Sequence, residues 1–485
     1  MKRFGRSGLV VIWVAWLGFT PAMAALADAC AGPAWQTFEL TLETGTRTEM
    51  AGPFYYRQQR GTETTIAWPP FFSRCTNPAL EAREDNYLYP MLSYNVYGKE
   101  YHWQFAQMLN FAGGSYPEDG DARRFTIYPL YFQQRSTNAD ENYTAVVPFY
   151  GHIKHRLMLN DVYFVMFPFY AETRKKGYVT DNYLYPFVSL RQGDHLEGWK
   201  AWPLAGHEHK EITWTTNGFG EVTTVPGHDK FFALWPIYHK TATGLGSENP
   251  EYSEGAIPFY TQSRSPERDE TSVLWPFFSW IDDRQKHYHE WQGPWPLVVF
   301  TRGEGKHTSR VWPVFSESAN AKQESDSYLW PLYQYRGFHS DLVASERHRV
   351  MFYLYESTVE HNLAKGTEKR RLDMWPFFTW HRDEHGSTRL QVFAPIEPAL
   401  NEQRGVNRNW SPLWSVWRAE DNATNGHSSR SLLWNLYRSE STATTKKSSL
   451  LFGLFQYMHA GDTDRWHCFY GLDFNLSKQV NTPVQ

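Results

Sequence analysis

One short motif constrains the fold of this chain more than any other feature. It consists of an aromatic or apolar residue, a proline, and one or two further apolar residues, and most neighbouring copies stand roughly 20 residues apart. The copies are Trp68-Pro69, Tyr89-Pro90, Tyr128-Pro129, Val147-Pro148, Phe167-Pro168, Tyr185-Pro186, Trp202-Pro203, Trp235-Pro236, Ile257-Pro258, Trp275-Pro276, Trp295-Pro296, Trp312-Pro313, Trp330-Pro331 and Trp375-Pro376.

A longer period is superimposed on this motif. The hexapeptide at 85–90, Asp-Asn-Tyr-Leu-Tyr-Pro, recurs unchanged at 181–186, an offset of 96 residues. The segment Trp-Pro-Phe-Phe-Ser-Trp at 275–280 recurs, with Thr in place of Ser, at 375–380, an offset of 100. The sequence therefore predicts duplication of a block of about five motif units, repeated about four times.

Each motif unit reads as a β-strand. The apolar cores are rich in Trp, Tyr, Phe, Val and Leu, which suit a pleated surface, and polar clusters of turn-forming residues separate them. Short connections between consecutive strands predict an antiparallel meander of about 20 strands, each roughly ten residues long. Two features oppose the simplest version: proline donates no ladder hydrogen bond, and both faces around Pro276 are apolar at the centre.

Two architectures cover both faces of such strands. The first is an outer-membrane β-barrel-like fold, in which Trp and Tyr form interfacial girdles. The second is a soluble stack, such as a β-propeller or a β-solenoid, in which sheets pack on sheets. The burial of Trp275 and Phe277 discriminates between them, because a barrel requires these residues to lie in an outward apolar belt.

The N-terminus predicts export and sets the domain limits. Basic residues at positions 2, 3 and 6 precede an apolar stretch at 9–19 and a small-residue cleavage site at 22–24, a pattern typical of a signal peptide at 1–24. The alternative is an uncleaved anchor, although the apolar stretch is short for a span. The predicted division continues with an N-terminal segment at 25–50, a strand-repeat domain at 51–476 and a polar tail at 477–485.

Composition excludes some functions. The net charge is -4 and no basic stripe is visible, so no nucleic-acid partner is expected. In an oxidising envelope compartment, Cys30 and Cys75 are candidates for a disulfide, which leaves Cys468 unpaired. No cofactor is predicted, since the chain contains no P-loop, dinucleotide fingerprint or nucleophile elbow.

Histidine pairs are the candidate metal ligands. Residues two apart share one face of a strand, so His207 with His209, or His287 with His289, would point at one ion together. The alternative is that these histidines are solvated residues at strand ends, because the sequence assigns no third ligand.

The sequence assigns no catalytic residue. The acid pairs Asp282-Asp283 and Glu420-Asp421 are the candidates for acid–base chemistry on a glycan, but in loops such pairs usually only carry solvated charge. Two segments depart from the repeat and are candidates for function, namely 94–103 and 213–230.

The expected function is that of a non-enzymatic protein of the cell envelope. Its predicted location is the outer membrane, where it would be a β-barrel-like scaffold with a structural, pore or assembly role, in contact with lipid or other envelope components. The alternatives are a soluble periplasmic or secreted binding module, whose aromatic strands would take a small molecule or a glycan, and an envelope hydrolase.

Overall fold

The computed structural model describes residues 34–106, 108–116, 120–156, 158–175, 177–216, 218, 220–400, 403–461, 463–470 and 472–477. These residues contain 45 strands, and 43 of them form a single antiparallel sheet in which each strand pairs with the next along the chain. The predicted all-β antiparallel meander is confirmed. No helix within these ranges has the length and apolar character needed to cross a bilayer. The predicted signal peptide, Cys30 and most of the tail lie outside the described residues.

The first nineteen strands run without interruption. They are β1 Gln36–Glu39, β2 Gly45–Met50, β3 Tyr55–Arg60, β4 Glu63–Trp68, β5 Phe72–Asn77, β6 Ala82–Tyr87, β7 Leu92–Tyr97, β8 Glu100–Phe105, β9 Leu109–Tyr116, β10 Gly120–Ile127, β11 Tyr131–Ser136, β12 Tyr143–Val146, β13 Tyr150–Lys154, β14 Asp161–Val165, β15 Tyr170–Lys175, β16 Tyr178–Tyr183, β17 Val188–Gly193, β18 Leu196–Ala201 and β19 Ala205–Lys210.

A hairpin follows that forms its own two-stranded sheet, β20 Thr213–Thr216 and β21 Val222–Val225. The main sheet then continues as β22 Gly227–Ala233, β23 Tyr238–Leu245, β24 Glu251–Ala256, β25 Tyr260–Arg264, β26 Arg268–Val273, β27 Phe278–Asp283, β28 Tyr288–Gln292, β29 Val298–Gly303, β30 Lys306–Val311, β31 Phe315–Asn320, β32 Gln323–Tyr328, β33 Tyr333–His339, β34 Val343–Val350, β35 Tyr355–Asn362, β36 Thr367–Met374, β37 Phe378–Arg382 and β38 Thr388–Val392.

Two short helices, α1 Arg404–Asn409 and α2 Ser411–Trp414, separate β38 from the last strands. Those strands are β39 Trp417–Asp421, β40 Ser428–Leu432, β41 Tyr437–Ser441, β42 Thr445–Leu450, β43 Phe455–Ala460, β44 Thr463–Cys468 and β45 Leu472–Ser477. Single 3-10 turns lie at Gly52–Phe54, Pro78–Leu80 and Ala139–Glu141.

The expectation of about 20 strands of ten residues is wrong, because the motif is a turn and not a strand centre. Leu274 to Phe277 connect β26 to β27, and the Phe277 N–H donates to the Leu274 carbonyl at 2.9 Å. Leu274 has a φ of 50°, in the left-handed region. A proline is tolerated here because it leaves no gap in the ladder. Each repeat of about 20 residues therefore supplies two strands of about six residues.

The connecting turns form two rows, one at each end of the strands, and the two rows differ in chemistry. We refer to these rows as the two edges of the sheet. On one edge every connection carries apolar residues, mostly an aromatic-proline motif, and we call it the aromatic-proline edge. On the other edge most connections are polar, as at Gly61-Thr62, Gly98-Lys99 and Glu304-Gly305, and we call it the polar edge. Single apolar residues are exposed on it, among them Leu80, Met158, Leu342 and Leu363. Because a strand of six residues spans about 20 Å, the two edges are about that far apart.

The two ends of the sheet pack against each other through one of its faces, which we call the inner face. Glu49 of β2 accepts a hydrogen bond from Asn435 Nδ2 at 2.6 Å, in the turn after β40. The guanidinium of Arg438 in β41 lies 3.6 Å from the ring centroid of Phe38 in β1. Contacts of this kind fold the sheet back on itself, so the inner face is its concave side.

The helical insertion fills the space between these ends. The Tyr56 hydroxyl in β3 donates to the Arg408 carbonyl at 2.8 Å, and the Arg408 guanidinium pairs with Glu84 of β6. Trp410 Nε1 donates to the Tyr89 carbonyl at 3.0 Å. Helices α1 and α2 thereby join the C-terminal strands to β3–β6.

A buried carboxylate holds the base of the insertion. Glu397 Oε1 accepts hydrogen bonds from Gln391 Nε2 at 2.7 Å, Ser411 Oγ at 2.5 Å and Trp414 Nε1 at 2.9 Å. Its Oε2 accepts from the Ile396 N–H at 3.2 Å. Because its acceptor sites are used, the charge of Glu397 is tolerated in a buried position.

The longer sequence period corresponds to ten strands. The two copies of the hexapeptide begin in β6 and in β16, and the two longer motif copies occupy the β26–β27 and β36–β37 turns. Segment 94–103 is a regular hairpin of β7 and β8, so the prediction that it departs from the repeat is wrong. Segment 213–230 does depart from the repeat, since it contains the β20–β21 hairpin on the polar edge. The sheet begins at Gln36, so it includes part of the N-terminal segment predicted at 25–50.

Candidate functional site

The aromatic-proline edge exposes a long series of apolar side chains. At the β26–β27 turn, Trp275 is 43% exposed and Phe277 is 51% exposed. Comparable exposure is found at turns along the whole edge, including Phe71, Phe149, Phe169, Leu204, Trp235, Phe259, Trp295, Trp312, Trp330, Tyr353, Trp434 and Phe469. Trp275 and Phe277 therefore belong to a continuous outward apolar belt, although they lie in a turn and not on a strand face.

An apolar row of strand residues runs beside this edge. Directly paired residues of an antiparallel sheet project to the same face, so the register defines rows across the sheet. One such row lies next to the aromatic-proline edge, on the face opposite the inner face. Its residues are apolar without interruption from Trp68 to Phe278 and again from Val298 to Leu472. One stretch of it reads Leu92, Phe105, Leu109, Ile127, Tyr131, Val146, Tyr150, Val165, Tyr170 and Tyr183.

We call this face the outer face and this row the edge row. Each of its members is aliphatic, aromatic, Ala or Cys, and many are well exposed, such as Tyr150, Val188 and Leu450. Rings contact one another along it, for example Tyr170 and Tyr183, whose centroids lie 5.5 Å apart. Edge row and turns together form one apolar belt, far longer than the isolated apolar patches of ordinary protein surfaces.

The inner face has the opposite character. Next to the same edge it carries mainly small or polar residues, and many are buried because the face is concave. Ser272 and Ser279 hydrogen-bond through their hydroxyls at 2.7 Å, and Thr301 donates to Glu290 at 2.8 Å. An apolar cluster interrupts this polar face on β11–β15 and is formed by Phe132, Tyr143, Ala145, Ile153, Phe164 and Ala171.

Sequence reasoning missed the edge row, although a signal for it exists. The residues that directly flank the motif, such as Val273 before the β26–β27 turn and Phe278 after it, are apolar in copy after copy. Aligning the copies on the proline shows these positions. If the proline were at the centre of a strand, Val273 and Phe278 would project to opposite faces, whereas the turn places both on the outer face.

The histidine candidates are only partly brought together. His207 and His209 of β19 share the outer face, and both contact Asp229 of β22, through His207 Nε2 at 3.3 Å and His209 Nδ1 at 3.0 Å. Partial burial opposes ionisation of Asp229, but the hydrogen bonds from His209 and His207 outweigh it and lower the pKa of this carboxyl. His287 lies in a turn, while His289 in β28 pairs with Asp282 at 3.1 Å.

Within the described ranges, no three His, Cys, Asp or Glu side chains are placed to hold a metal ion. The metal hypothesis for His207, His209, His287 and His289 therefore stays a prediction.

The acid pairs do not form one site. Asp282 and Asp283 are consecutive in β27, so they project to opposite faces. Asp283 is buried and accepts the Lys286 N–H at 2.8 Å, whereas Asp282 faces His289. Glu420 and Asp421 are consecutive in β39 and diverge in the same way. Neither pair can place two carboxylates on one glycosidic bond.

Comparison with protein-family models and with curated proteins finds no match to this sequence.

Proposed function

We propose that this chain is a non-enzymatic scaffold of the cell envelope that lies edge-on in the surface of the outer membrane, with its aromatic-proline edge immersed in one leaflet. The observation that carries the proposal is the apolar belt, in which exposed Trp, Tyr and Phe follow one edge of the sheet. Trp and Tyr are the residues that favour the membrane–water interface.

The dimensions favour one leaflet over a complete span. A strand that crosses a bilayer needs about 9–11 residues and an apolar band about 25 Å tall. Here most strands have five or six residues, and only the turns and the edge row are consistently apolar. A belt of this height matches the depth of about 5–10 Å to which interfacial elements enter a membrane.

The polar edge and the inner face fit this orientation. The polar turns lie about 20 Å from the immersed edge and would remain in water. The inner face is polar and turned toward itself, because the two ends of the sheet meet through it. A long sheet held in this way suits a structural or assembly role, with lipid as its partner.

Vesicle flotation tests the proposal. The full mature chain, mixed with phospholipid vesicles, is expected to float with them, and fractionated cells are expected to hold it in the membrane. Recovery in the soluble periplasm without detergent, together with failure to float, would refute membrane association and favour the soluble binding module.

Depth-dependent quenching tests the orientation. Lipids brominated near the headgroup are expected to quench tryptophan emission more strongly than lipids brominated at the chain ends. Equal quenching by both would contradict insertion into a single leaflet and favour a spanning barrel.

A further inference from the structure

Charge is sorted between the two faces of strands β31–β34. The register places Arg336 of β33 opposite Arg347 of β34, and Arg349 follows two residues later, so all three project from the inner face. Every acidic residue of these four strands projects from the outer face, namely Glu317, Glu324, Asp326 and Glu346. A chain with a net charge of -4 thus concentrates positive charge on one side of this segment.

The outer face shows the consequence of this sorting. Partial burial, and then the nearby carboxylates of Glu324 and Glu317, raise the pKa of Asp326. Like charges directly opposite each other destabilise a sheet, and the Arg336–Arg347 pair is such an arrangement on the inner face. The fold therefore keeps two cations side by side there, with Glu356 of β35 offsetting the charge of Arg347.

A hollow lies beside these arginines. It has a volume of about 420 Å³, within the range of ligand pockets. Its floor is formed by the small hydroxyl residues Ser316, Ser325 and Ser327 of β31 and β32, with Arg310 on one side and Arg336 with Arg347 on the other. The walls stand three strands apart, about 14 Å.

The arginines of the hollow differ in how far they are neutralised. Arg347 and Arg349 both pair with Glu356 of β35, at 2.5 and 2.8 Å, so one carboxylate serves two cations. Arg310 donates to the Ser316 hydroxyl at 3.1 Å. The guanidinium of Arg336 makes no ion pair or hydrogen bond with any residue in the described part of the chain. Free guanidinium and serine hydroxyl groups facing one hollow are the donors that phosphate oxygens accept.

We infer that this hollow, whose lining includes Arg310, Arg336, Arg347, Arg349 and the three serines, binds a phosphate-bearing ligand on the inner face. The unpaired guanidinium of Arg336 donates hydrogen bonds to the phosphate oxygens, and the hydroxyl groups of Ser325 and Ser327 donate further hydrogen bonds to them from the floor of the hollow. The inference does not rest on the proposed membrane function, because it concerns the opposite face of the sheet.

Titration of the full mature chain with inorganic tripolyphosphate, followed by calorimetry, tests the inference. The wild-type protein is expected to bind, Arg336→Gln to lose at least fivefold in affinity, and Arg336→Lys to recover part of that loss, because lysine restores the charge without the fork. The matched control is Arg57→Gln, which removes an exposed arginine of the outer face in β3 and is expected to leave binding unchanged. Absence of binding, or equal affinities for Arg336→Gln and wild type, overturns the inference, as does an equal loss in the Arg57 control.

A second arm distinguishes a soluble phosphate ligand from a lipid headgroup. Arg336→Gln and wild type are compared for flotation with vesicles rich in phosphatidic acid and with purely zwitterionic vesicles. A loss confined to phosphatidic acid vesicles, alongside the tripolyphosphate result, assigns the phosphate to a lipid. Unchanged flotation with the tripolyphosphate loss assigns it to a soluble ligand.

Discussion

The membrane proposal predicts a measurable loss when neighbouring turns lose their tryptophans. Trp275, Trp295 and Trp312 lie in three consecutive turns of the aromatic-proline edge and are 43%, 43% and 41% exposed. Since an aromatic side chain presents about 150–250 Å², each exposes about 100 Å². Full transfer of that area to lipid is worth about 2.5 kcal/mol, and half immersion about 1 kcal/mol.

The triple variant, with all three tryptophans changed to Ala, should therefore bind vesicles more weakly by about 3–7 kcal/mol. Because 1.4 kcal/mol is a factor of ten, the vesicle partition coefficient should fall by at least about 100-fold. Titration with vesicles at limiting lipid measures it, after circular dichroism has shown that the sheet is intact.

The matched control is Trp214→Ala. Trp214 is 68% exposed, more than any of the three, but it lies in the β20–β21 hairpin on the polar edge. Its removal should change the partition coefficient by less than about twofold, since that edge stays in water. Equal losses in the control and the triple variant, or no loss in either, would refute the assignment of the aromatic-proline edge to lipid.

Three further predictions concern buried and inner-face groups. Burial, and then the flanking charges of Arg371 and Arg389, lower the pKa of His381 from 6.5 to about 4, so protonation of this residue should destabilise the fold progressively as the pH falls from about 6.5 toward 4; His381→Gln should remove about 3 kcal/mol of the acid-induced decrease in the free energy of unfolding, measured by urea titration across this pH range. Glu397→Gln should lower the free energy of unfolding by about 2 kcal/mol, since the new amide faces a backbone N–H that needs an acceptor, and urea titration measures it. Glu356→Gln should tighten tripolyphosphate binding severalfold, because the carboxylate shared by two arginines of the hollow is neutralised; unchanged or weaker affinity in calorimetry would contradict this.

The fold class and the period of the repeat can be predicted from the amino-acid sequence. Short apolar segments rich in proline cannot form helices, and their alternation with polar turn clusters predicts an antiparallel β-meander, even though the proline proves to lie in a turn between two strands. The two copies of the hexapeptide also determined a block of five units, which the structure shows as five hairpins. These properties follow from local residue preferences, which a sequence displays directly.

The position of the proline and the residues that share a face become apparent only in the folded sheet. A shift of one residue in strand register exchanges the two faces completely, so placing Pro276 at a strand centre hid both the edge row and the charge sorting around Arg336. The contact between Phe38 and Arg438 joins positions 400 residues apart, and no local pattern encodes it. Such contacts depend on the curvature accumulated over the strands of the sheet that lie between the two residues, which arises only when those strands have assembled.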